Sequence, residues 1–317
     1  MRRVLVTGGA GFLGSRVTSL LADHPEVDIV LSGDLRESEA PGVVSVPVDV
    51  TDPLALPDLL LQHRIDTVVH LAAIVNPGRD VQSEFRVDVQ GSSNVLAACV
   101  EAGVRRLVVS SSGAAYGYHP DNPEWIVETD ALRGNDEFPY SRHKRMIEEM
   151  LATARTMHPG LEQVVFRIGT ILGPGVHNQI TALWDAKRIL HIAGSDSPFV
   201  FVWVDDVAAA MVRAALGAGP AGVYNVAGDG ALTVPQIARR LRKPLLTVPA
   251  PLLAVALSIG SVLRLTEHGP EKIRFLRYRP VLRNDRLKDE FGYVPRLTSA
   301  EAFEEYLRTH PGVVHAG

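Results

Sequence analysis

Cysteine, long apolar runs and charge of one sign are all scarce in this chain, and each shortage removes a class of protein. One cysteine among 317 residues excludes a disulfide framework. Cys99 lies in the apolar period Val95, Leu96, Cys99, Val100 and reads as a small core residue in a reducing compartment. Lys and Arg number 32 against 36 Asp and Glu, and a net charge of −4 gives no footing for a nucleic-acid surface. The histidines and carboxylates show no metal-ligand clustering, so no metal is expected. The uncharged stretch from Pro251 to Leu263 falls short of the roughly 20 residues that span a bilayer; a buried helix is expected there. Met1 leads straight into a strand pattern, without the charged, apolar and cleavage regions of a secretory signal, so the cytoplasm is the expected location. Repeats and low-complexity tracts are absent.

What is present is a globular composition, 46% apolar and 21% charged, in a length that suits about two domains of ordinary size. Short β-branched runs at Arg3 to Val6, Asp28 to Leu31, Val43 to Val46, Thr67 to His70, Arg106 to Ser110 and Gln163 to Arg167 alternate with helical periods. The helices are expected near Leu13 to Ala22, Pro57 to Gln62, Val89 to Ala102 and Ser141 to Thr156. That alternation predicts an α/β fold, a doubly wound parallel sheet of Rossmann type, with a smaller C-terminal substrate lobe. After Gly173 the regularity breaks into a loop and a helical stretch, and Val200 to Val204 brings the chain back as a strand. A helix from Val207 to Leu216 and a strand at Val223 to Val226 come next. Residues 1–173 and 200–228 are thus expected to form the dinucleotide domain, and 174–199 with 229–317 the lobe.

The run Val4 to Gly14 reads as an apolar strand, then glycines at 8, 11 and 14, then an immediate helical period. Gly8 permits a tight turn, Gly11 lets the backbone approach a pyrophosphate, and Gly14 lets helix and strand pack closely, with the helix N-terminus facing the anion. The flanking strand and helix make this pattern specific for a dinucleotide. Asp34 falls where a carboxylate would bond the adenosine ribose, which favours NAD over NADP; Arg36 stands within reach of a 2′-phosphate. Asp49 and Val50 come after the third strand and are placed to meet the adenine edge, though Asp49 suits a helix cap equally well.

Tyr140 and Lys144 are four apart, on one face of a helix, after the strand that ends in Ser110-Ser111-Ser112. Ligands of such sheets bind beyond the carboxyl ends of the strands. Taking a proton from a secondary alcohol while its carbon gives up hydride needs a base poised near neutrality, and a free phenol titrates near about 10. The positive charge of Lys144 would stabilise the Tyr140 phenolate, and the Ser112 hydroxyl would orient the substrate oxygen.

These residues resemble the extended short-chain dehydrogenases/reductases, the NAD-dependent epimerase/dehydratase family. The landmarks are Thr7 to Gly14, His70-Leu71-Ala72-Ala73, Ser110 to Ser112 with Tyr116-Gly117, Tyr140 to Lys144, Gly173-Pro174 and Val204-Asp205-Asp206. Within the family, Tyr116 to Pro123 and Thr170 to Gly175 are similar to an actinobacterial subgroup labelled UDP-glucose 4-epimerase-like. The resemblance implies Ser112, Tyr140 and Lys144 as catalytic residues. It implies cofactor contacts at Gly8, Gly11, Phe12, Leu13 and Gly14, at Leu71, Ala72 and Ala73, and at Ser110, Tyr140, Lys144, Arg167 and Ile168. Substrate contacts are expected at Ser112, Ala114, Thr170 and His177, and a homodimer through the helices Val89 to Ala102 and Ser141 to Thr156.

The chain also departs from the family. Gly113 and Ala114 replace the Asp-Glu pair of the 4,6-dehydratases, Thr170 and Leu172 replace an asparagine and a tyrosine of sugar-nucleotide enzymes, and Asp88 replaces an asparagine. His143 is expected on the helix surface. Arg279 and Arg283 suit either a substrate phosphate or a solvated basic face, and Pro249 to Leu265 either packs inside the lobe or lines an apolar pocket. Three functions compete: epimerisation of a nucleotide sugar, net NAD(P)-dependent oxidoreduction of a hydrophobic alcohol or ketone, and non-catalytic dinucleotide sensing.

Overall fold

The apolar runs become strands in a computed structural model that describes residues 1–75, 80–262 and 272–314. In chain order β1 (Arg2–Thr7), α1 (Phe12–Ala22), β2 (Val27–Asp34), β3 (Val44–Pro47), α2 (Pro57–Gln62) and β4 (Thr67–His70) come first. Next come α3 (Val81–Phe85), a π-turn at Arg86–Gln90, α4 (Gly91–Glu101), β5 (Arg106–Ser112), α5 (Pro139–Met157) and β6 (Glu162–Ile168). After these stand β7 (Thr170–Leu172), β8 (Ile189–Ile192), β9 (Phe201–Trp203), α6 (Val204–Ala215), β10 (Gly222–Val226), α7 (Val234–Arg240) and β11 (Leu245–Val248). The chain closes with α8 (Ala250–Val262), α9 (Lys272–Arg277), α10 (Asp285–Asp289) and α11 (Ser299–Thr309).

Seven strands pair in parallel in the order β10-β6-β5-β4-β1-β2-β3. Helices cover both faces, which is why the strands read as continuous apolar runs and not as alternating ones. The period of two is still visible in how the core divides. Val4 and Val6 join Val108, Val164, Phe166 and Met211 on the α1/α6 face, while Leu5 joins Leu107, Val109, Val165, Ile147 and Leu151 on the α4/α5 face. Cys99 is buried in the second of these layers, and burial pushes its thiol well above the usual range.

The strand order reverses between β1 and β4, because β2 and β3 extend to one side of β1 and β4 to the other. The gap opened there, beyond the carboxyl ends, is where such sheets bind ligands. A third core gathers Trp184, Phe199, Phe201, Phe303 and Tyr306, with the Trp184 and Phe303 rings edge-on at 5.0 Å.

Three expectations need correction. The strand near residue 200 does not rejoin the main sheet: β9 pairs only with β7, and Val204 already begins α6. The helical stretch after Gly175 shrinks to a single turn at Thr181–Trp184 before β8. The apolar segment near 250 is helical but, over residues 250–258, not buried: Leu252 is 63% and Val255 57% exposed. Residues 263–265 of that segment lie outside the described residues. Among the described residues no helix is long and apolar enough to cross a membrane.

Candidate active site

The turn between β1 and α1 is built by glycines that nothing larger can replace. Gly8 has φ +70°, and a Cβ there would lie 2.7 Å from the Ala72 nitrogen. A Cβ on Gly14 would lie 2.0 Å from the Gly8 carbonyl oxygen, so the first turn of α1 presses directly onto the end of β1. Gly11 caps α1 without any side-chain hydrogen bond, which leaves the first-turn N–H groups facing the space above the turn. Asp34, at the end of β2, accepts the Ala10 N–H at 3.1 Å and the Arg36 N–H at 3.1 Å. Arg36 is mostly exposed and donates to the Ala10 carbonyl at 3.1 Å. This open cradle, with N–H groups aimed outward and a carboxylate at its rim, fits a dinucleotide.

A cleft of about 1190 Å³ runs from that turn across the ends of β4 and β5 to α9. Gly8, Gly11, Phe12, Leu13, Gly14, Leu71, Ala73, Ser110, Ser112, Ala114, Tyr140, Lys144, Ile168, Thr170 and His177 all line it, so one cavity collects most of the candidates from well-separated stretches of chain. Six candidates are not on its wall. Ala72 turns its backbone against Gly8, so it supports the turn while Leu71 and Ala73 face the cleft. Asp34 and Arg36 stand at the rim. Asp49 accepts the Thr51 N–H at 2.9 Å and the Thr51 hydroxyl at 2.7 Å in a local turn and does not cap α2, whose N-cap is Leu56. Val50 is buried, and its carbonyl accepts from Asn94 at 2.9 Å.

Arg167 is the clearest displacement. Its guanidinium meets both Glu148 oxygens, with Nη2 at 2.8 Å from Oε2, and donates to the Tyr116 hydroxyl at 2.7 Å and the Glu128 carbonyl at 2.9 Å. Arg167 and Glu148 are almost fully buried, and the ring of Tyr116 lies 4.8 Å below the cation. The sequence supplied no sign of this, because the acid partner sits 19 positions earlier on a different element, α5.

The proton-transfer candidates converge at the end of β5. Pro139 opens α5, where the missing N–H costs nothing, and the next residue is Tyr140. One helical turn on, Lys144 is buried, donates to the Ser110 carbonyl at 2.9 Å, and holds its ammonium 5.6 Å from the Tyr140 ring centre. Ser112 faces the same space, its hydroxyl accepting the Ala114 N–H at 3.1 Å. His143, expected on the surface, is instead wholly buried against Asp88.

Behind the site, His70 bridges Thr7 Oγ1 at 2.7 Å and Ser92 Oγ at 2.9 Å. Burial first, then the charge of Lys144, push this imidazole down to about 3, against the opposite pull of Asp88. Neutral, it donates through one nitrogen and accepts through the other. In the unfolded chain it takes up a proton below about pH 6.5, and in the folded chain only near 3. Stability therefore falls as pH drops through that window, by at most about 1.4 kcal/mol per unit from this group. His70→Asn should flatten the fall in unfolding free energy between about pH 6.5 and about 5 in urea titrations; an unchanged slope would count against the assignment.

Among the described residues no three His, Cys, Asp or Glu side chains gather as a metal site.

Comparison with known proteins agrees with this geometry. The NAD dependent epimerase/dehydratase family model matches residues 4–227. An uncharacterized protein of Mycobacterium tuberculosis is 30% identical over 318 residues, covering 96% of this chain and 83% of the relative. A UDP-glucose 4-epimerase of Azospirillum brasilense is 36% identical over 177 residues, 54% of this chain and 49% of that one. Among solved structures, the Thermus thermophilus UDP-glucose 4-epimerase in complex with NAD superposes with a TM-score of 0.73 at 26% identity, over 98% of this chain and 99% of the other. The Thermotoga maritima UDP-glucose 4-epimerase reaches 0.76 at 22% identity, with the same coverage, and shares the fold. With the glycine cradle, the seven-stranded sheet and the match over most of its length, the chain belongs to the NAD-dependent epimerase/dehydratase family of extended short-chain dehydrogenases/reductases.

Proposed function

We propose that this protein is an NAD-dependent epimerase of a nucleotide-linked hexose, acting through Ser112, Tyr140 and Lys144. The observation that carries the reading is the convergence of the Lys144 ammonium, the Tyr140 ring and the end of β5 in one cleft with the glycine turn. The Gly8 to Gly14 turn and Asp34 would hold NAD, which would supply reversible hydride acceptance from a secondary alcohol carbon. Ser112 orients the alcohol oxygen, Tyr140 takes its proton, and Lys144 opposes the charge that develops on the phenol. When the sugar has presented its other face, Tyr140 returns the proton to the oxygen as the hydride would be given back to the carbon, so the centre is inverted without net redox change.

Arg279 supports an anionic substrate. Its guanidinium lies 3.9 Å from the Phe199 ring centre and 4.4 Å from that of Phe275, on the cleft wall, and no carboxylate pairs with it among the described residues. Enclosure pushes its pKa below the usual guanidinium range, yet at neutral pH it remains a cation that lacks a counter-charge. A diphosphate would supply one. Arg283 gives no such support, because it is exposed and paired with Asp285. A second reading, reduction or oxidation of an apolar alcohol or ketone, draws on Tyr118, Phe138, Phe275 and Leu282 in the same wall.

The two readings separate on incubation with UDP-glucose and UDP-galactose. Interconversion at constant total sugar, with KM raised about 10- to 100-fold in Arg279→Met, is the expected result. Neither sugar consumed, but steady reduction of added NAD by a hydrophobic alcohol, selects the second.

A further inference from the structure

One stretch of the lobe is both apolar and basic, and the chemistry of the cleft uses none of it. From Gly230 to Thr266 the sequence holds no acidic residue and five basic ones, and within that stretch the helix Ala250–Val262 carries no charge at all. A helix that is apolar all round belongs in a core or in lipid. α8 finds no core in this chain. Over residues 250–258 none is fully buried, none joins an apolar cluster, and Leu252 and Val255 are largely exposed. Leu245 and Leu246 of β11, the strand that leads into α8, are exposed as well. Thirteen helical residues rise about 20 Å, short of the roughly 30 Å of bilayer hydrocarbon, so such a helix can enter a bilayer surface without crossing it. Cations collect at the other end of β11, one four-residue strand or about 13 Å away. β8 and β11 are parallel with Ile189 opposite Leu245, so Lys187-Arg188 and Arg242-Lys243 stand side by side where the two strands begin. Lys243 joins them by donating to the Trp184 carbonyl at 2.5 Å. Lys187, Arg188, Arg242 and, in the last turn of α7, Arg239 are all exposed, and no carboxylate pairs with them among the described residues. Arg240 is taken up by Glu304 at 2.8 Å, and Asp185, exposed two residues before Lys187, offsets one of the four charges.

We propose that α8 and the β8/β11 ribbon form a docking surface for a bilayer of anionic phospholipid: the exposed apolar side chains enter the acyl boundary, and Lys187, Arg188, Arg239 and Arg242 meet the headgroup phosphates. Stable attachment at a bilayer surface takes two signals, an apolar insertion and a basic patch, because either alone holds only marginally. Both stand here on one short ribbon and its flanks. Charge selects the occupant. A second copy of this chain, docked by the same patch about a two-fold axis, would set four unpaired cations against four more, whereas an anionic leaflet supplies the counter-charge. The helix selects it too, since a groove in a protein partner covers one stripe and a bilayer accepts apolar side chains on every side. None of the docking residues lines the dinucleotide cleft, so the surface is separate from turnover and stands whichever substrate the cleft takes.

Sedimentation of the full chain with lipid vesicles tests this. The protein should pellet with phosphatidylglycerol vesicles at low ionic strength, stay in solution with phosphatidylcholine vesicles, and be released from the former as added salt shortens the Debye length. Leu252→Ser/Val255→Ser removes the insertion, and Lys187→Gln/Arg188→Gln/Arg239→Gln/Arg242→Gln removes the charge. Each should weaken attachment at least about tenfold, with melting temperature and NAD binding as in the parent, because every altered side chain is exposed and outside the cleft. Val255→Trp reports insertion directly: its emission, taken as a difference against the parent, should shift to the blue with phosphatidylglycerol vesicles and be quenched by brominated acyl chains. Failure of the parent to pellet with phosphatidylglycerol overturns the proposal, as does attachment that both multiple variants retain. An unshifted Val255→Trp emission on protein that pellets overturns it as well, since charge alone would then hold the protein. A dimer that Leu252→Ser/Val255→Ser dissociates, from a parent that ignores vesicles, gives the surface to a second copy instead.

Discussion

Phenylalanine at position 140 is expected to cut kcat by about 10²- to 10⁴-fold, the range that a positioned general acid–base group contributes. The ring should hold its place. Tyr140 is partly buried beside Phe138, Tyr118 and Phe275, and phenylalanine keeps all of that apolar contact while deleting the one atom able to exchange a proton with substrate. Bound dinucleotide should be retained, because the glycine turn and Asp34 lie on other elements. Steady-state kinetics with the preferred substrate, alongside a thermal melt, makes the measurement. A kcat within about threefold of the parent, with an intact fold, would transfer the proton chemistry to another group and remove the basis for the proposed mechanism.

Arg167→Met should be the largest single loss of stability, about 3–5 kcal/mol, because it leaves Glu148 buried without its partner. Glu148 would keep only the hydrogen bond from Ser111, and the Tyr116 hydroxyl and Glu128 carbonyl would each lose a donor. The paired change Arg167→Met/Glu148→Leu should recover much of the loss, since two apolar side chains of similar bulk leave no stranded charge. Urea unfolding of the three proteins decides the matter. A destabilisation below about 1 kcal/mol for Arg167→Met, with weakened NAD binding in its place, would return Arg167 to the cofactor site that the family resemblance implied.

The two effects separate the kinds of residue that surround this cleft. Tyr140, Lys144 and Ser112 face the cavity, where the proposed chemistry would reach whatever enters it. Arg167, Glu148 and Tyr116 lie behind the same strands and hold β6 to α5, and Asp88, His143 and His70 brace the cofactor side. All three groups are polar and sit within a short stretch of sheet end, so a variant's phenotype at any of them must be read by what it changes, turnover or stability.

Much of the architecture was legible from residue order. Six apolar runs were expected as strands of a parallel sheet and all six are, with Pro57–Gln62 matching to the residue and the other helices within a few positions. Local physics suffices there: β-branched runs buried on two faces, proline at the start of a helix, glycine where φ must be positive. The glycine turn was legible for the same reason, since its function is carried by residues adjacent in the chain.

What the residue order left open depended on partners in other elements. His143 looks like a surface residue until the π-turn brings Asp88 to it from 55 positions away, and the partner of Arg167 shows only when α5 sets Glu148 beside β6. Ala72 and Leu71 differ only in which side of one backbone segment they face, and the register of β4 against β1 decides that. The apolar residues 250–258 promised burial by composition, yet burial requires a neighbour to pack against, which composition does not supply. By itself the sequence determined the sheet, its glycine cradle and the spacing of Tyr140 and Lys144, because short-range sterics and periodicity act within one element. Only the tertiary structure decided which charges are paired and which side chains reach the cleft, because a buried charge takes its partner from whatever chain the fold brings beside it.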